Sequence, residues 1–502
     1  MELITDRYKN EISGTLRCYD RIVIKGTLPH ICYAQGMAGF LSYRKVLLFD
    51  YTKYMNPIRE AIRENAEQLA KKNDLDIIFV RSSKARKEDI VKANIDENKT
   101  GLVCILSAME ACPSYQPWHD KVSRKTFLKG TQSKCLHYYF YFNDPDLGLG
   151  YVRVPTWAPF QLQIYFNGHN LLAANLDKKK IEYSMIDNAF DYVDDYKKAQ
   201  RLSDNMDISK IHKKLDWFAK IYCPIHTQFD EKYHWSTMQV EYSTDIIFKD
   251  QKDLQNIYPE LVATAIHTVK PDHIATFLGQ KLTGHYQGEM GNNYHVRIEG
   301  CCIKHAMGAV SIKMYDKFSK VLRIETTVND VTQFKHYRSV EHRDGTTSQQ
   351  QAPVKKNIYS LAPLTEILTA SNRRYLEFIS AIEDNNVGNH RLKKITNDKK
   401  ENERNYKGLN FFKKEDVKII ETITRGEYNI NGFRAKDLKK RMPAFSPSQI
   451  SRILKRLRVH GIIKKIRNSY KYYVTVLGKT AISTLMKMKN IVIIPHLNQK
   501  VA

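Results

Sequence analysis

The sequence lacks several features that mark common protein classes. Its 502 residues contain no run of about 18 apolar residues, so no membrane-spanning helix and no membrane partner are expected. The first residues are mixed and polar, which predicts no secretory signal. The eight cysteines are scattered without a C-x-x-C pair, which argues against a zinc ribbon and a disulfide framework. We therefore expect a cytoplasmic protein with reduced thiols.

Motifs for nucleotide binding and sequence repeats are absent as well. The chain has no G-x-x-x-x-G-K-[ST] loop, so it is not a P-loop ATPase and no nucleotide cofactor is expected. No segment repeats at a fixed period. At roughly 150 residues per domain, the length predicts two or three domains with cores of their own.

Acidic residues are scarce, and their scarcity is local. The chain has 80 Lys+Arg against 54 Asp+Glu, a net charge of +26. From Arg391 onward, 28 basic residues face 8 acidic ones, a net of +20, whereas the first 390 residues carry only +6. This asymmetry predicts a dedicated nucleic-acid-binding domain on a nearly balanced body, and a nucleoid-associated location.

The pattern along the chain divides it into four parts. Residues 1–382 form the predicted body, with a possible break into two subdomains near 180–230. Residues 383–408 are polar and charged and are predicted to be a linker. Residues 409–490 have a regular pattern of their own, and 491–502 are a tail.

The predicted body is of the α+β class. Strand-like runs rich in Val, Ile, Tyr and Phe alternate with segments of helical apolar spacing. The runs at 135–142, 151–154 and 161–166 are separated by turn residues, which predicts an antiparallel meander. We therefore expect mostly antiparallel sheets rather than a parallel doubly wound sheet.

Residues 409–490 have the order of elements of a winged helix-turn-helix. Helices are predicted at 416–424 and 435–441. Ser446 to Gln449 then form an N-cap, a proline at the first helical position and a capping box, opening a basic helix that ends near His460. A basic hairpin follows at 462–476. In this geometry the third helix enters the major groove of duplex DNA.

This segment resembles the DNA-binding domain of MarR-like regulators, including its GIIKK turn. The resemblance implies that residues of the third helix meet base edges and that neighbouring cations meet phosphates. The candidates for base edges are Ser446, Ser448, Gln449 and Arg452. The candidates for phosphates are Lys455, Arg456, Lys464, Lys465, Arg467 and Lys471.

Two strand-like runs of the body bring reactive side chains onto one face. Lys313, Tyr315 and Lys317 alternate along one run, and Arg323 and Glu325 alternate along the next. A tyrosine hydroxyl can attack a DNA phosphate, lysine and arginine can hold that phosphate, and a carboxylate can hold a hard metal ion. These five residues are candidate catalytic residues, together with Asp330. The competing interpretation is a hairpin held by cross-strand salt bridges.

Further carboxylates could complete a site for Mg²⁺ or Mn²⁺. The candidate metal ligands are Glu325, Glu299 and Glu241. Glu241 and Asp245 share one side of a strand-like run. Together with Asp20, Glu299, Glu325 and Asp330 they supply enough carboxylates for a two-metal nuclease. Sequence spacing does not determine which of them converge.

The span SIKMYDK…VLRIE at 311–325 resembles the Tyr-x-Lys…Arg-x-Glu signature of rolling-circle replication initiators. The resemblance implies that Tyr315 is the nicking nucleophile and that Glu325 lies in the metal site. The His-hydrophobic-His metal motif of many such nickases is absent from this chain.

A second candidate nucleic-acid surface lies at 112–120, where proline and aromatic residues predict a loop. The basic residues Lys121, Arg124 and Lys125 follow it directly. Aromatic rings of this loop could stack on unpaired bases while the cations hold phosphates.

Across nearly its full length the chain resembles a family of bacterial proteins usually labelled MarR-like from their C-terminal domain. The resemblance is carried by YDRIVIKGTLP at 19–29, SAMEACPSYQPWHDK at 107–121 and RVPTWAPFQLQIYFNGHN at 153–170. It implies a DNA-binding protein and no catalytic assignment.

Three functions remain open from the sequence. The first is a protein of a mobile element or replicon that binds duplex DNA and nicks or joins a strand. The second is a non-catalytic transcriptional regulator whose body senses a ligand or forms a homodimer. The third is an RNA-binding protein of a ribonucleoprotein, in which the body takes structured RNA or single-stranded nucleic acid.

Overall fold

The computed structural model describes residues 3–81, 85–95, 99–280, 282, 286, 288–297, 300–380, 385–467, 469–494 and 497. The chain forms two compact units, Met1–Ser380 and Ala381–Ala502, called here the N-terminal and the C-terminal unit. Among the described residues, no helix combines the length and apolar character needed to cross a bilayer.

The N-terminal unit is built on one large sheet. Its strands are β1 (Ile12–Thr27), β2 (Ile77–Phe79), β3 (Gly101–Asp120), β4 (Lys125–Asp144), β5 (Gly148–Pro155), β6 (Leu162–Phe166), β9 (His234–Phe248), β10 (Met290–Arg297), β11 (Gly300–Met307), β12 (Val310–Lys317) and β13 (Val321–Val328). Within the described residues they lie in the order β10-β11-β12-β13-β9-β1-β6-β5-β4-β3-β2. Small hairpins pair β7 (Tyr183–Ile186) with β8 (Ala189–Val193), and β14 (Lys335–Glu341) with β15 (Thr347–Pro353).

All pairs of the large sheet are antiparallel except β2 with β3. The predicted α+β class with mostly antiparallel sheets is therefore confirmed. The predicted meander is confirmed too, since Tyr141 lies opposite Tyr151 and Tyr151 opposite Tyr165. The segment predicted as a loop at 112–120 is part of β3, because β3 and β4 continue as a two-stranded arm beyond their pairing with the rest of the sheet.

Helices cover both faces of this sheet. They are α1 (Ile4–Arg7), α2 (Ala34–Tyr43), α3 (Tyr51–Asn73), α4 (Lys87–Asn94), α5 (Gly168–Lys178), α6 (Tyr196–Asp204), α7 (Ile208–Tyr222), α8 (Gln251–Thr268), α9 (Pro271–Phe277) and α10 (Leu361–Ser380). Apolar residues at three- and four-residue spacing, such as Leu361, Leu364 and Leu368 of α10, are fully buried, as expected of a helix that packs on a sheet.

The C-terminal unit has a separate apolar core. Its helices are α11 (Asn385–Thr396), α12 (Lys414–Ile423), α13 (Gly426–Asn431), α14 (Ala435–Arg441), α15 (Pro447–Val459) and α16 (Val476–Lys487), and its strands are β16 (Lys399–Glu401), β17 (Arg404–Tyr406), β18 (Ile463–Lys465) and β19 (Tyr472–Val474). β18 pairs antiparallel with β19, and β16 with β17. Ile450, Leu454 and Leu457 of α15 lie in the core, at the three- and four-residue spacing of one helix face.

The stretch predicted as a linker at 383–408 is folded in its described part. It contains α11 and the β16–β17 hairpin. Ile395 is 1% exposed and belongs to the core of the C-terminal unit. The polar composition misled the prediction because one buried isoleucine and backbone hydrogen bonds are enough to dock this segment on its neighbours.

Candidate functional site

One face of four neighbouring strands carries most of the buried charge of the N-terminal unit. Glu241 and Asp245 occupy odd-numbered positions of β9, and Arg323 and Glu325 occupy odd-numbered positions of β13. Arg323 pairs in register with Asp245, and Lys313 of β12 pairs with Glu325. Because side chains of a strand alternate between faces, these charges share one surface, called here the polar face. It spans β12, β13, β9 and β1.

The opposite face of the same strands is covered by α10. The Asn372 side chain donates hydrogen bonds to the backbone oxygens of Tyr242 (3.0 Å) and Ile324 (3.2 Å). These two residues lie between the charged positions of β9 and β13, and both are buried. The core on this side therefore fixes the register that aligns the polar face.

One end of the polar face is closed to solvent. Arg323 is 0% exposed and donates two hydrogen bonds to Asp245, from Nε (2.7 Å) and Nη2 (2.6 Å). Its Nη1 lies 3.2 Å from Oδ1 of Asp20. His169, fully buried at the start of α5, lies 3.3 Å from Asp245 and 3.2 Å from Asp20 through its two ring nitrogens.

These ion pairs fix the protonation of the closed end. Burial alone would raise the pKa of Asp245, but Arg323 and His169 lower it to about 2. Against the same opposition from burial, Arg323 holds the pKa of Asp20 well below its usual range. Although burial opposes it, the charges of Asp245 and Asp20 in turn raise the pKa of Arg323 well above its usual range. Both carboxyl groups are therefore anionic at neutral pH.

Asp20 connects the closed end to the open end. Its Oδ1 accepts hydrogen bonds from the side chains of Asn188 (2.7 Å) and Asn167 (3.4 Å) and faces Arg323. Asp20 therefore contacts the buried cations of the closed end, and its carboxyl group also reaches the open end.

At the open end, Asp20, Glu241 and Glu325 form a carboxylate triad. Each residue offers an oxygen atom, and the three atoms lie within 4.8 Å of one another. The Glu325 side chain is 2% exposed, while those of Glu241 and Lys313 are 15% and 20% exposed. The triad therefore reaches solvent on the side of Glu241 and Lys313.

Lys313 already supplies one positive charge to this triad. Its Nζ lies 2.7 Å from Glu325 and 3.2 Å from Glu241. Although burial opposes it, the two carboxylates raise the pKa of Lys313. Burial and the charge of Glu325 raise the pKa of Glu241. The raised pKa of Glu241 shows that the negative charges of the triad repel one another despite the nearby Lys313. A further cation would relieve this repulsion, which is the electrostatic condition of a cation site.

Tyr315 completes the open end. Its hydroxyl donates a 2.7 Å hydrogen bond to Oε2 of Glu325. Burial and the neighbouring Glu325 charge raise the pKa of Tyr315 well above 10. The resting side chain is therefore a phenol, and Glu325 is placed to accept its proton.

Carboxylate oxygens are the ligands that Mg²⁺ and Mn²⁺ prefer, so the triad fits such an ion. Two of the three predicted ligands, Glu241 and Glu325, are brought together. The third predicted ligand, Glu299, lies outside the described residues. Asp20 takes the third position in the structure, and it does so across two strands that are more than 200 residues apart in the sequence.

The remaining predicted catalytic residues have other contacts. Arg323 is enclosed by Asp20, Asp245 and the backbone oxygen of Asn188, so it orients the carboxylates and does not reach a substrate. Lys317 pairs with Asp187 at 3.3 Å. Asp330 caps the short helix Val331–Gln333 through Thr332 and pairs with Lys356, and it is not a member of the triad.

The predicted DNA-contacting residues of the C-terminal unit fall into two groups. Ser446 and Gln449 form the predicted capping box, with bonds of 3.2 Å and 2.6 Å between side chains and backbone amides. Arg456 pairs with Asp416 at 2.7 Å and donates to the backbone oxygens of Lys407 and Gly408, so it stabilises the unit. Lys455 pairs with Glu401. The second group is exposed to solvent and can contact a ligand: Ser448, Arg452, Lys464, Lys465 and Arg467. Lys471 is half-buried.

Lys121, Arg124 and Lys125 lie at the tip of the β3–β4 arm and are exposed. Behind the tip, Trp118 lies opposite Phe127, and the two rings are 46% and 43% exposed. The ammonium group of Lys129 lies 5.1 Å from the centre of the Trp118 ring. The arm therefore presents cations beside exposed aromatic rings, although as a hairpin and not as the predicted loop.

We compared the chain with protein-family models, with curated proteins and with solved structures, and none of them matched. The relationships to MarR-like regulators and to rolling-circle initiators therefore stay predictions from the sequence. The grounds for assigning a function are the carboxylate triad and the exposed cationic groups of the two units.

Proposed function

We propose that this protein is a nucleic-acid-binding enzyme that cuts a DNA strand at the carboxylate triad. The observation that carries the proposal is the convergence of Asp20, Glu241 and Glu325 from three strands at the solvent-reaching end of an otherwise buried polar face. Titratable groups that are crowded together and partly buried next to other charges are typical of functional sites.

A divalent cation held by the triad would polarise a phosphodiester oxygen. Tyr315 is the candidate nucleophile. Its hydroxyl oxygen would form a bond to phosphorus, its proton would pass to Glu325, and the bond from phosphorus to the leaving sugar oxygen would break. The leaving oxygen takes a proton from solvent. Arg323 and Asp245 contribute by holding Asp20 in place.

We further propose that the C-terminal unit is a winged helix that delivers this site to duplex DNA. Support comes from the order of α12, α14, the capped basic helix α15 and the β18–β19 hairpin. The net charge of +20 from Arg391 onward supports a polyanionic partner. Because neutralised phosphates release counterions, duplex affinity of the full chain should fall steeply with salt.

Strand cleavage tests the proposal directly. The full chain is incubated with supercoiled plasmid and with single-stranded DNA, with Mg²⁺, Mn²⁺ or EDTA. We expect nicked product with a divalent cation and none with EDTA. Glu325→Gln and Asp20→Asn should each lower the rate at least about a hundredfold, the range for loss of a catalytic carboxylate.

Tyr315→Phe separates the two possible nucleophiles. If Tyr315 attacks, end-labelled DNA becomes covalently bound to the wild-type chain, and the Phe variant loses both adduct and cleavage. Cleavage that persists in Tyr315→Phe without an adduct would instead assign the attack to water. Absence of cation-dependent cleavage on either substrate contradicts the proposal as a whole.

The alternative is a non-catalytic regulator, and one observation favours it. Lys313 lies between Glu241 and Glu325, where a bound cation would lie. A triad balanced permanently by lysine would be structural. In that case Lys313→Met should destabilise the fold, sequence-specific DNA binding should survive Glu325→Gln, and sequencing of co-purified nucleic acid should return one duplex site and not RNA.

A further inference from the structure

β1 carries a bulge at the triad. Its register with β9 shifts between Tyr19, which lies opposite Tyr242, and Arg21, which lies opposite Glu241. Asp20 is the extra residue. A bulge disturbs the alternation of side chains and re-aims them, and here it brings two consecutive residues, Asp20 and Arg21, onto the polar face.

The contacts of Arg21 confirm this direction. Its guanidinium carbon lies 5.1 Å from the centre of the Tyr165 ring. Tyr165 and Tyr151 face each other in neighbouring strands beside β1. The guanidinium therefore lies over the Tyr165 ring, on the same side of the sheet as Glu241.

Arg21 is a half-buried cation without an acidic partner. Among the described residues, no carboxylate lies within ion-pair distance of Arg21, and its Nε is buried without a hydrogen-bond acceptor. The other arginine on this part of the face, Arg153, is neutralised by Glu110 at 2.7 Å. A half-buried guanidinium next to a triad that reaches solvent is suited to an anion brought in from outside.

We propose that Arg21 binds a phosphate of single-stranded nucleic acid next to the triad, with Tyr165 and Tyr151 as its support. This inference rests on the proposed function and names the substrate class of that site. A flexible single strand can lay one phosphate on Arg21 and its neighbour at the triad. Planar guanidinium groups favour phosphate oxygens through paired hydrogen bonds.

A site-specific crosslink tests this placement without any cleavage. Gln239 is half-exposed and shares the strand and face of Glu241 two residues away. Gln239→p-benzoylphenylalanine in the full chain is irradiated in EDTA with a short labelled oligonucleotide, single-stranded or duplex. We expect a crosslink to the single strand that unlabelled single strand competes away. A control crosslinker replaces Trp217, which is 51% exposed on α7, and should give little product.

Arg21 variants then test the residue itself. In the Gln239 crosslinking chain, Arg21→Gln should lower the crosslink yield about tenfold, the effect of one lost charge-assisted hydrogen bond pair, and Arg21→Lys should lie between. Arg373→Gln, on the exposed side of α10, should change nothing. A crosslink only to duplex, no crosslink at Gln239, or a yield unchanged by Arg21→Gln would overturn the inference.

The crosslink and the cleavage assay fail separately. Cleavage without a crosslink at Gln239 would support the catalytic proposal and contradict the proposed binding surface at Arg21. A crosslink that depends on Arg21, in a chain that does not cleave DNA, would support the binding surface at Arg21 and contradict the catalytic proposal.

Discussion

Arg323 is the residue on which the geometry of the polar face most depends. It is fully buried and holds two carboxylates, Asp245 and Asp20, which come from different strands. A buried ion pair adds little net stability compared with apolar residues in the same place. Removing one partner, however, leaves the other charges buried without a counter-charge in a medium of low polarity. Arg323 is therefore a positioning residue, and its loss should first of all lower the free energy of unfolding.

Arg323→Met should lower the free energy of unfolding by about 3–5 kcal/mol, the usual cost of leaving a buried charge unpaired. Urea denaturation at neutral pH measures the loss. Arg373→Met is the matched control, because Arg373 is exposed and forms only an i,i+4 pair with Glu377, and it should cost less than about 0.5 kcal/mol. A loss below about 1 kcal/mol for Arg323→Met would contradict the role assigned to it.

Asp245 predicts how stability depends on acid. Its pKa is lowered to about 2 in the folded chain, against about 3.9 in unfolded chains. Its contribution is therefore complete above about pH 4 and is lost as the pH falls toward 2. Urea midpoints measured between pH 5 and pH 2.5 should fall more steeply for the wild type than for Asp245→Asn. Equal slopes would show that Asp245 is not ion-paired as described.

At the open end, the contribution of Glu241 to stability should change with pH in the opposite direction to that of Asp245. Its pKa is raised by burial and by Glu325, so protonation favours the folded state and its contribution is lost as the pH rises through the raised pKa. A bound cation requires the ionised form. The increase in melting temperature on adding Mn²⁺ should therefore be larger at pH 8 than at pH 5, and Glu241→Gln should abolish that difference.

At the scale of elements, period-two spacing was a good guide and strand order was not. Alternation predicted that Lys313 and Tyr315 share one side of a strand and that Arg323 and Glu325 share one side of the next. In the structure the two strands are neighbours, with Lys313 opposite Glu325 and Tyr315 opposite Arg323. Asp20 was one of several free carboxylates in the sequence. It joins the triad because β1 pairs with β9 across more than 200 residues and because β1 bulges at that point. Neither the long-range pairing nor the bulge has a local sequence signal.

The same limit holds for helix α15. Its capping box and inner apolar residues could be predicted, because both depend on residues within one turn. The partner of Arg456 could not, since Asp416 lies on another helix 40 positions earlier. The sequence pattern made Arg456 a candidate phosphate contact, whereas the structure pairs it with Asp416 and leaves Arg452 exposed.

Arg452 and Arg456 therefore make a matched pair of variants. Arg452→Ala should weaken duplex binding by about 1–3 kcal/mol with little change in melting temperature, because it removes an exposed DNA contact. Arg456→Ala should lower the melting temperature, because buried Asp416 loses its partner, while the salt slope of binding by the folded fraction stays unchanged. Fluorescence anisotropy against salt and thermal denaturation measure the two. Equal effects of both variants on the salt slope would contradict the assignment.

At the scale of the whole molecule, charge and buried chemistry lie in different units. The C-terminal unit carries most of the excess positive charge, whereas the triad lies in the N-terminal unit. This division suits a protein in which one unit supplies affinity and the other supplies chemistry. The composition predicted the first part directly. The second depended on a tertiary fold that brings strands from residues 12 to 328 into one sheet.

Cation-dependent cleavage of single-stranded and supercoiled DNA by the full chain, compared with Glu325→Gln, tests the central claim most directly. We predict a nicked product with Mn²⁺ or Mg²⁺, none with EDTA, and a rate at least about a hundredfold lower for Glu325→Gln. A wild-type chain that binds DNA and leaves both substrates intact, or that cleaves no faster than Glu325→Gln, would contradict it.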